Sequence, residues 1–398
     1  EILRCYVMTS LKLAEYHRDQ GHCKTARQML ERLKANPNAV LDSQQQAQFD
    51  VLYSEVRTRK NTSVPAETAC RNQRPRVSVI MPAYNSAAYI DSAIQSVLAQ
   101  TYRDFELIIV NDGSTDRTEQ VIRNYHDSRI RCFSQANAGL AATRNTALRH
   151  AIGELIVPLD DDDRMTPEFI AQHVAAFERH PEADLIYCDD HLVNEAGRSL
   201  RVIRRKEVHD QTQLISGLFQ GGFPFIPFRT CIRRSVFDKI GLYDETLRVA
   251  EDYDMMRRFA AHGLIARHLA GDFYIRCVRT DSLSRNHTRK KAEMHFGVIR
   301  RFIDTFTWEQ LFPDASWEGL DSVHRAFQGH YLSAHVFQAI ERNYIQNRTP
   351  GFYAEVAIDF AIEQLEHCLE LSPDNPEILQ KIEECRRRKP QEMAAVEG

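Results

Sequence analysis

The sequence predicts an α/β layered domain flanked by helices, and three observations carry that prediction. From Val77 onward, short β-rich runs alternate with helical stripes, the signature of parallel strands joined by crossover helices. One of these runs, Leu155-Ile156-Val157-Pro158-Leu159, stops abruptly in four aspartates, Asp160 to Asp163, which places concentrated negative charge at one edge of a sheet. Both ends of the chain carry helical periodicity with almost no strand signal.

Composition narrows the class. With 398 residues there is room for one large core plus an accessory unit, or for two to three domains. Hydrophobic residues make up 43% and charged residues 27%, an ordinary globular balance, and a net charge of −4 gives no reason to expect nucleic acid. No apolar stretch approaches the ~20 residues that span a bilayer. The chain opens at Glu1 with no signal-peptide pattern, which reads as a processed or excised segment. Nine cysteines, an odd number without CxxC pairs, read as reduced thiols of a cytoplasmic protein, not as a disulfide framework or zinc site.

Residues 1–60 form the first helical segment. Leu13, Ala14, Gly21, Ala26, Leu30 and Leu33 repeat as small and large apolar positions on paired helices. Residues 61–76, with Thr, Ser, Asn and Pro, read as a linker. The α/β domain spans 77–285. It starts with the strand Val77-Ser78-Val79-Ile80-Met81, stopped by Pro82, and continues with a helical stripe of Ala88, Ile90, Ala93, Ile94, Val97 and Leu98. A second strand runs from Phe105 to Val110, followed by a polar turn at Asn111 to Thr115, a helix, and a third strand near Ile130 to Phe133. Ligands of such sheets sit beyond the carboxyl ends of the strands, where Pro82 to Asn85, Asp112 and Asp160 all fall. After the aspartates, Thr166-Pro167-Glu168 reads as an N-cap, a first-turn proline and an acid favoured by the helix dipole, leaving Asp163 a structural role. Asp184 to Tyr187, a turn at Asn194 to Gly197, and the runs Thr230 to Arg233 and Phe273 to Val278 suggest a mixed or antiparallel portion. The region 286–398 is helical again. Ala361, Leu365, Cys368 and Pro373 match the second helix of a tetratricopeptide repeat, and the N-terminal Gly21, Ala26, Leu30, Leu33 series fits the same template, with Pro37 one place early. About one unit at each end is too few to stack alone, so both ends are expected to dock on the central domain or on another copy.

Adjacent carboxylates raise one another's pKa and call for cations or hydrogen-bond donors. Oxygen-only ligands suit Mg²⁺ or Mn²⁺, and Mg²⁺ commonly completes its shell with substrate phosphates.

Taken together, the motifs resemble family 2 glycosyltransferases of the GT-A fold. The resemblance begins at Val77 to Asn85 and runs through Gln100-Thr101-Tyr102, Glu106 to Asp116, Asn137-Ala138-Gly139, Arg144-Asn145, Leu159 to Asp163 and Gly241 to Glu245 to Glu251-Asp252-Tyr253-Asp254. It implies a nucleotide-diphosphate sugar donor, with UDP favoured, and transfer with inversion to a hydroxyl of a glycan or protein acceptor. The nucleotide-sugar set that it implies is Pro82, Ala83, Tyr84, Asn85, Asp112, Gly113, Ser114, Arg144, Asp160 and Asp161. Within that set Tyr84 offers a flat apolar face, Asp112 accepts the base imide N–H, and Arg144 fixes base or phosphate through its planar fork. Gly113 reads as a turn requirement. Asp162 matches the metal ligand of the family's DxD element, with Asp160 reaching the ribose or the metal through water, and the ion neutralises charge on the departing diphosphate. Asp252 matches the general base, with Glu251 as its alternate. It opens a helix whose Met256, Phe259 and Ala260 face the core, and the helix dipole is expected to keep it ionised.

Two departures stand out. Where the family often shows Tyr-Arg-x-His, this chain has Tyr274-Ile275-Arg276-Cys277-Val278-Arg279, leaving His287 as the substitute metal ligand. Thr143 and Ala147 replace the more usual Ala and Gly. The basic runs Arg201 to Lys206 and Arg285 to Lys291 read as solvated faces, with contact to the diphosphate or to an anionic acceptor as the alternative. The expectation is a cytoplasmic, metal-dependent inverting glycosyltransferase of polysaccharide biosynthesis. Attachment to the inner membrane surface and self-association through the helical ends stay open. The alternative is a catalytically silent nucleotide-binding scaffold acting through its helices. A nucleotidyltransferase is disfavoured, since Pro82-Ala83-Tyr84-Asn85 supplies no glycine or lysine for a phosphate loop.

Overall fold

The computed structural model describes residues 74–220, 229–279, 288–346 and 351–388, together with 43–58 and the isolated positions Arg27, Leu30, Glu31, Lys34 and Leu41. They fall into two compact units, one drawn from Glu1–Arg74 and Val193–Leu200, the other from Pro75–Leu192 and Arg201–Gly398. In the first unit α1 (Ser43–Thr58) buries Phe49 and Leu52, and Leu30 is also fully enclosed. The repeat-like positions Gly21, Ala26, Leu33 and Pro37 lie outside the described residues.

The second unit is built on one mixed sheet. Its first half alternates β1 (Val77–Ala83), α2 (Ile90–Leu98), β2 (Phe105–Asp112), α3 (Thr118–Arg123), β3 (Ile130–Gln135), α4 (Leu140–His150) and β4 (Leu155–Pro158). β2 and β4 flank β1, β3 lies outside β2, and all these pairings are parallel. Next come β5 (Arg164–Met165), α5 (Phe169–Arg179), β6 (Leu185–Asn194), β7 (Ser199–Ile203), α6 (Gln211–Phe219), β8 (Thr230–Arg233), α7 (Arg234–Ile240), α8 (Glu251–Ala261) and β9 (Ala266–Val278). β8 pairs antiparallel with both β4 and β6, and β5 with β9, giving the strand order β3-β2-β1-β4-β8-β6-β9-β5 with β7 against β6. The expected mixed portion is present.

β1, β2 and β4 are buried on both faces, as their near-continuous apolar runs require. Successive side chains alternate between two core layers. Val77, Val79, Met81, Leu107, Ile109 and Val157 meet α2 and α5 on one side. Ile80, Ile108, Val110 and Ile156 meet α4 and α8 on the other. At the opposite end of the strands from the aspartates, Ser78 Oγ donates to Glu106 at 2.6 Å, and Glu106 also takes Arg131 at 2.6 Å. Gly153 passes so close that a Cβ there would lie 2.7 Å from the Ser78 backbone nitrogen.

The Thr166 cap is not formed. α5 begins at Phe169, preceded by Glu168 without a side-chain cap. The fully buried Gln100 serves the helix start instead, accepting from Ile170 N at 2.9 Å and donating to the Thr166 carbonyl at 2.7 Å. A carboxamide from another part of the chain satisfies an orphan N–H as well as a local hydroxyl does.

The C-terminal helices α9 (Arg289–Thr305), α10 (Trp308–Leu311), α11 (Ser322–Gln346), α12 (Gly351–Leu371) and α13 (Pro376–Arg388) belong to the same unit as the sheet. Phe296, Phe302, Phe337, Val356 and Ala361 join the core layer that holds Ile80 and Phe259. Ile358, Leu365, Cys368, Ile378 and Ile382 close a separate cluster with Ala334, so the repeat-like residues of α12 are interhelical packing positions. Among the described residues no helix is long and apolar enough to cross a membrane.

Candidate active site

Strand register assembles the site. Ala83 pairs with Asn111 and Ile80 with Pro158, so the chain leaves β1, β2 and β4 at one edge and delivers Tyr84, Asp112 and Asp160 there. Pro82 and Ala83 remain buried in β1, whereas Tyr84 is 47% exposed and Asn85 after it is exposed as well. Asn85, held at φ +50°, ties this loop to the next. Its N–H donates to Ser114 Oγ at 3.0 Å, and its Oδ1 accepts from Thr115 N at 2.8 Å. Asn85 and Ser114 therefore build the loop pair.

Asp112 organises the neighbouring turn. Its buried carboxylate accepts from Gln135 Nε2 at 2.8 Å and from the backbone N–H groups of Ala138 and Gly139 at 2.9 Å each. A carboxylate offers about four acceptor directions, so roughly one is left for a base N–H. Gly113 is required twice over: φ is +68°, and a Cβ would meet Asn137 N at 2.9 Å.

The four aspartates divide their work. Asp163 is buried, accepting from Tyr274 Oη and Cys277 N at 2.8 Å each, the structural role expected of it. Asp161 Oδ2 accepts from Tyr84 N at 3.0 Å, binding the β1 loop to the acidic turn. Burial lifts Asp161 to about 7, with Asp162 adding repulsion. Burial and the neighbouring Asp160 lift Asp162 to about 6.

Arg144, on α4, is almost fully buried and does not aim its fork at open space. Its Nη2 donates to Asp160 Oδ1 at 2.8 Å and its Nη1 to Glu251 Oε1 at 2.7 Å. The guanidinium expected on base or phosphate is thus a strut between the acidic turn and the start of α8. Asn145, one residue on, receives Tyr243 N at 2.9 Å and donates to the Tyr243 carbonyl at 2.9 Å and to Glu245 at 2.8 Å, fixing the segment that leads into α8. The Arg144-Asn145 pair thus holds both ends of that approach.

At the head of α8, Ala250 adopts the left-handed conformation with φ 61°, and no side chain caps the helix. Met256, Phe259 and Ala260 are buried as expected. Asp252 is half-buried, its Oδ1 accepting from Tyr253 N at 2.8 Å. Burial pushes its pKa up, and Arg144 only partly opposes this. Glu251, more deeply buried and beside Asp252, rises to about 7.

Arg279 was not anticipated in sequence. Just past β9, it donates through Nη1 to Asp162 Oδ2 at 3.1 Å and stacks 4.1 Å over the Tyr89 ring. It lies in the segment where the family often places a metal-binding His, and a cation in that segment was the available signal. His287, expected there as the substitute, lies outside the described residues.

The donor set fits a hard divalent ion. Asp160 and Asp162 offer oxygen donors in a crowded group of carboxylates, the kind of donor that a hard divalent ion takes. Among the described residues no three or more metal-ligating side chains form a cage, and an ion completed by substrate phosphates needs only one or two carboxylates.

This arrangement can be set beside known proteins. Residues 78–241 match Glycosyl transferase family 2. An uncharacterized glycosyltransferase of Rickettsia typhi is 35% identical over 46% of this chain and 58% of its own length. The chondroitin synthase of Pasteurella multocida is 26% identical over 74% of this chain and 28% of its own. The chain thus spans a little over half of the first of these relatives and about a quarter of the second. Among solved structures, S. aureus TarS 1-349 in complex with UDP-GlcNAc superposes with a TM-score of 0.56 at 20% identity, covering 78% of this chain and 91% of that one. The fold is GT-A, and the family 2 match spans the segments that carry Asp112, Arg144 and the aspartates. No comparison supports the tetratricopeptide reading of the helical ends.

Proposed function

We propose that this chain transfers a sugar from a UDP-sugar to an acceptor hydroxyl with inversion, assisted by Mn²⁺ or Mg²⁺. The observation that carries the reading is the Arg144 bridge, which ties Asp160 at the donor side to Glu251, the neighbour of Asp252. A nucleotide-binding edge and a candidate base are thereby fixed relative to each other.

Tyr84 stacks on the base, and Asp112 takes its imide N–H on the remaining acceptor direction. Asp160 and Asp162 would hold the divalent ion, which supplies Lewis-acid neutralisation of the diphosphate. Asp252 accepts the proton of the acceptor hydroxyl as that oxygen bonds to the anomeric carbon. The bond from that carbon to the diphosphate oxygen breaks, and UDP leaves with the electron pair. A carboxylate whose basicity is raised by burial suits this step, typically worth ~10²–10⁴ in rate. Glu251 is less suited, because its Oε1 is engaged by Arg144. The UDP-GlcNAc bound by TarS supports a uridine donor, and the chondroitin synthase likeness supports a glycan acceptor.

Calorimetry tests the donor side. UDP is expected to bind with Mn²⁺ present, GDP far more weakly, and a chelator to abolish the difference. Equal binding of UDP and GDP, or indifference to the chelator, overturns the reading.

A further inference from the structure

We propose that Arg279 competes with the divalent ion for Asp162 and passes to the donor diphosphate once the ion binds. The inference rests on the donor site proposed above. The side chains of Arg279 and Asp162 are 14% and 22% exposed, so their 3.1 Å ion pair is largely shielded from water and salt. The pair is also delivered by the fold. Cys277 N donates to Asp163 at 2.8 Å, which pins the end of β9 against the acidic turn and carries Arg279 to the adjacent carboxylate.

An ion that takes Asp162 must displace this guanidinium. Displacement does not send Arg279 into solvent, because its platform, the Tyr89 ring at 4.1 Å, is independent of Asp162. The guanidinium stays in the same corner, where its planar donors match phosphate oxygens. Arg279 would therefore weaken metal binding alone and strengthen binding of metal and diphosphate together, making the two mutually dependent. An arginine with a purely structural role would weaken both when removed.

The test uses Arg279→Gln and Arg279→Lys in the full chain. Mn²⁺ affinity without nucleotide is read by electron paramagnetic resonance at pH 8. UDP affinity at saturating Mn²⁺ is read by calorimetry. Losing one charge-assisted hydrogen bond to the competed carboxylate should tighten Mn²⁺ binding in Arg279→Gln by about tenfold and weaken UDP binding by a similar factor. Arg279→Lys should restore the competition but only part of the UDP affinity. If Arg279→Gln matches the parent in both titrations, or binds Mn²⁺ more weakly, the inference falls while the donor-site reading stands. If neither protein binds Mn²⁺ or UDP, both fall.

Discussion

Glu251 links the electrostatics of the site to a measurable stability profile. Burial raises its pKa from an ordinary 4.5 to about 7, with Asp252 adding repulsion and Arg144 opposing. The folded protein therefore holds a proton that the unfolded chain releases between those values. Stability from this group is fully present below its unfolded pKa and is lost as pH rises through about 7. Between pH 5 and pH 8 the loss is about 2 kcal/mol, at ~1.4 kcal/mol for each pKa unit. Glu251→Gln cannot titrate, and its amide oxygen can still accept from Arg144, so its stability profile should be flatter than the parent's by that amount. Urea denaturation at the two pH values measures the difference. The chain's two tryptophans, Trp308 and Trp317, both report on the unit that contains the site. Parallel profiles for parent and variant would show that Glu251 is not held in the low-dielectric setting described above.

Two further substitutions probe the carboxylates. Arg144→Met should destabilise the protein by roughly 3–5 kcal/mol at neutral pH, because it strands Glu251 and Asp160 without their cation, and a melting temperature equal to the parent's would contradict the strut. Asp162→Asn should lower UDP affinity in Mn²⁺ without lowering the weak metal-free binding, because Arg279 no longer has its carboxylate partner; equal losses in both conditions would point to a folding defect instead.

Much of the fold was legible because strands buried on both faces write continuous apolar runs. Val77 to Met81, Phe105 to Val110 and Leu155 to Pro158 could hardly be read otherwise. The strand ends carrying Asp112 and Asp160 were legible for the same reason. What escaped was non-local. The partners Arg279 and Asp162 stand 117 positions apart, and Arg144 and Glu251 stand 107 apart, so no spacing rule joins them. Local rules also misled where burial outweighed them. Thr166 looked like a cap, yet Gln100 holds that helix start, and burial pushes Asp252 up where the dipole alone would pull it down. The C-terminal helices carried a repeat-like pattern, yet Phe296 and Phe337 enter the same core layer as the sheet. Helical periodicity shows which face is buried, not what covers it.

The most direct test of the account is Asp252→Asn, assayed for sugar transfer and for UDP affinity in the same preparation. The amide keeps the size of the carboxylate but cannot take the acceptor's proton. Transfer should fall by ~10²-fold or more while UDP affinity in Mn²⁺ stays within about twofold. Transfer within a few-fold of the parent would contradict the account and place the base elsewhere, with Glu251 the next residue to test.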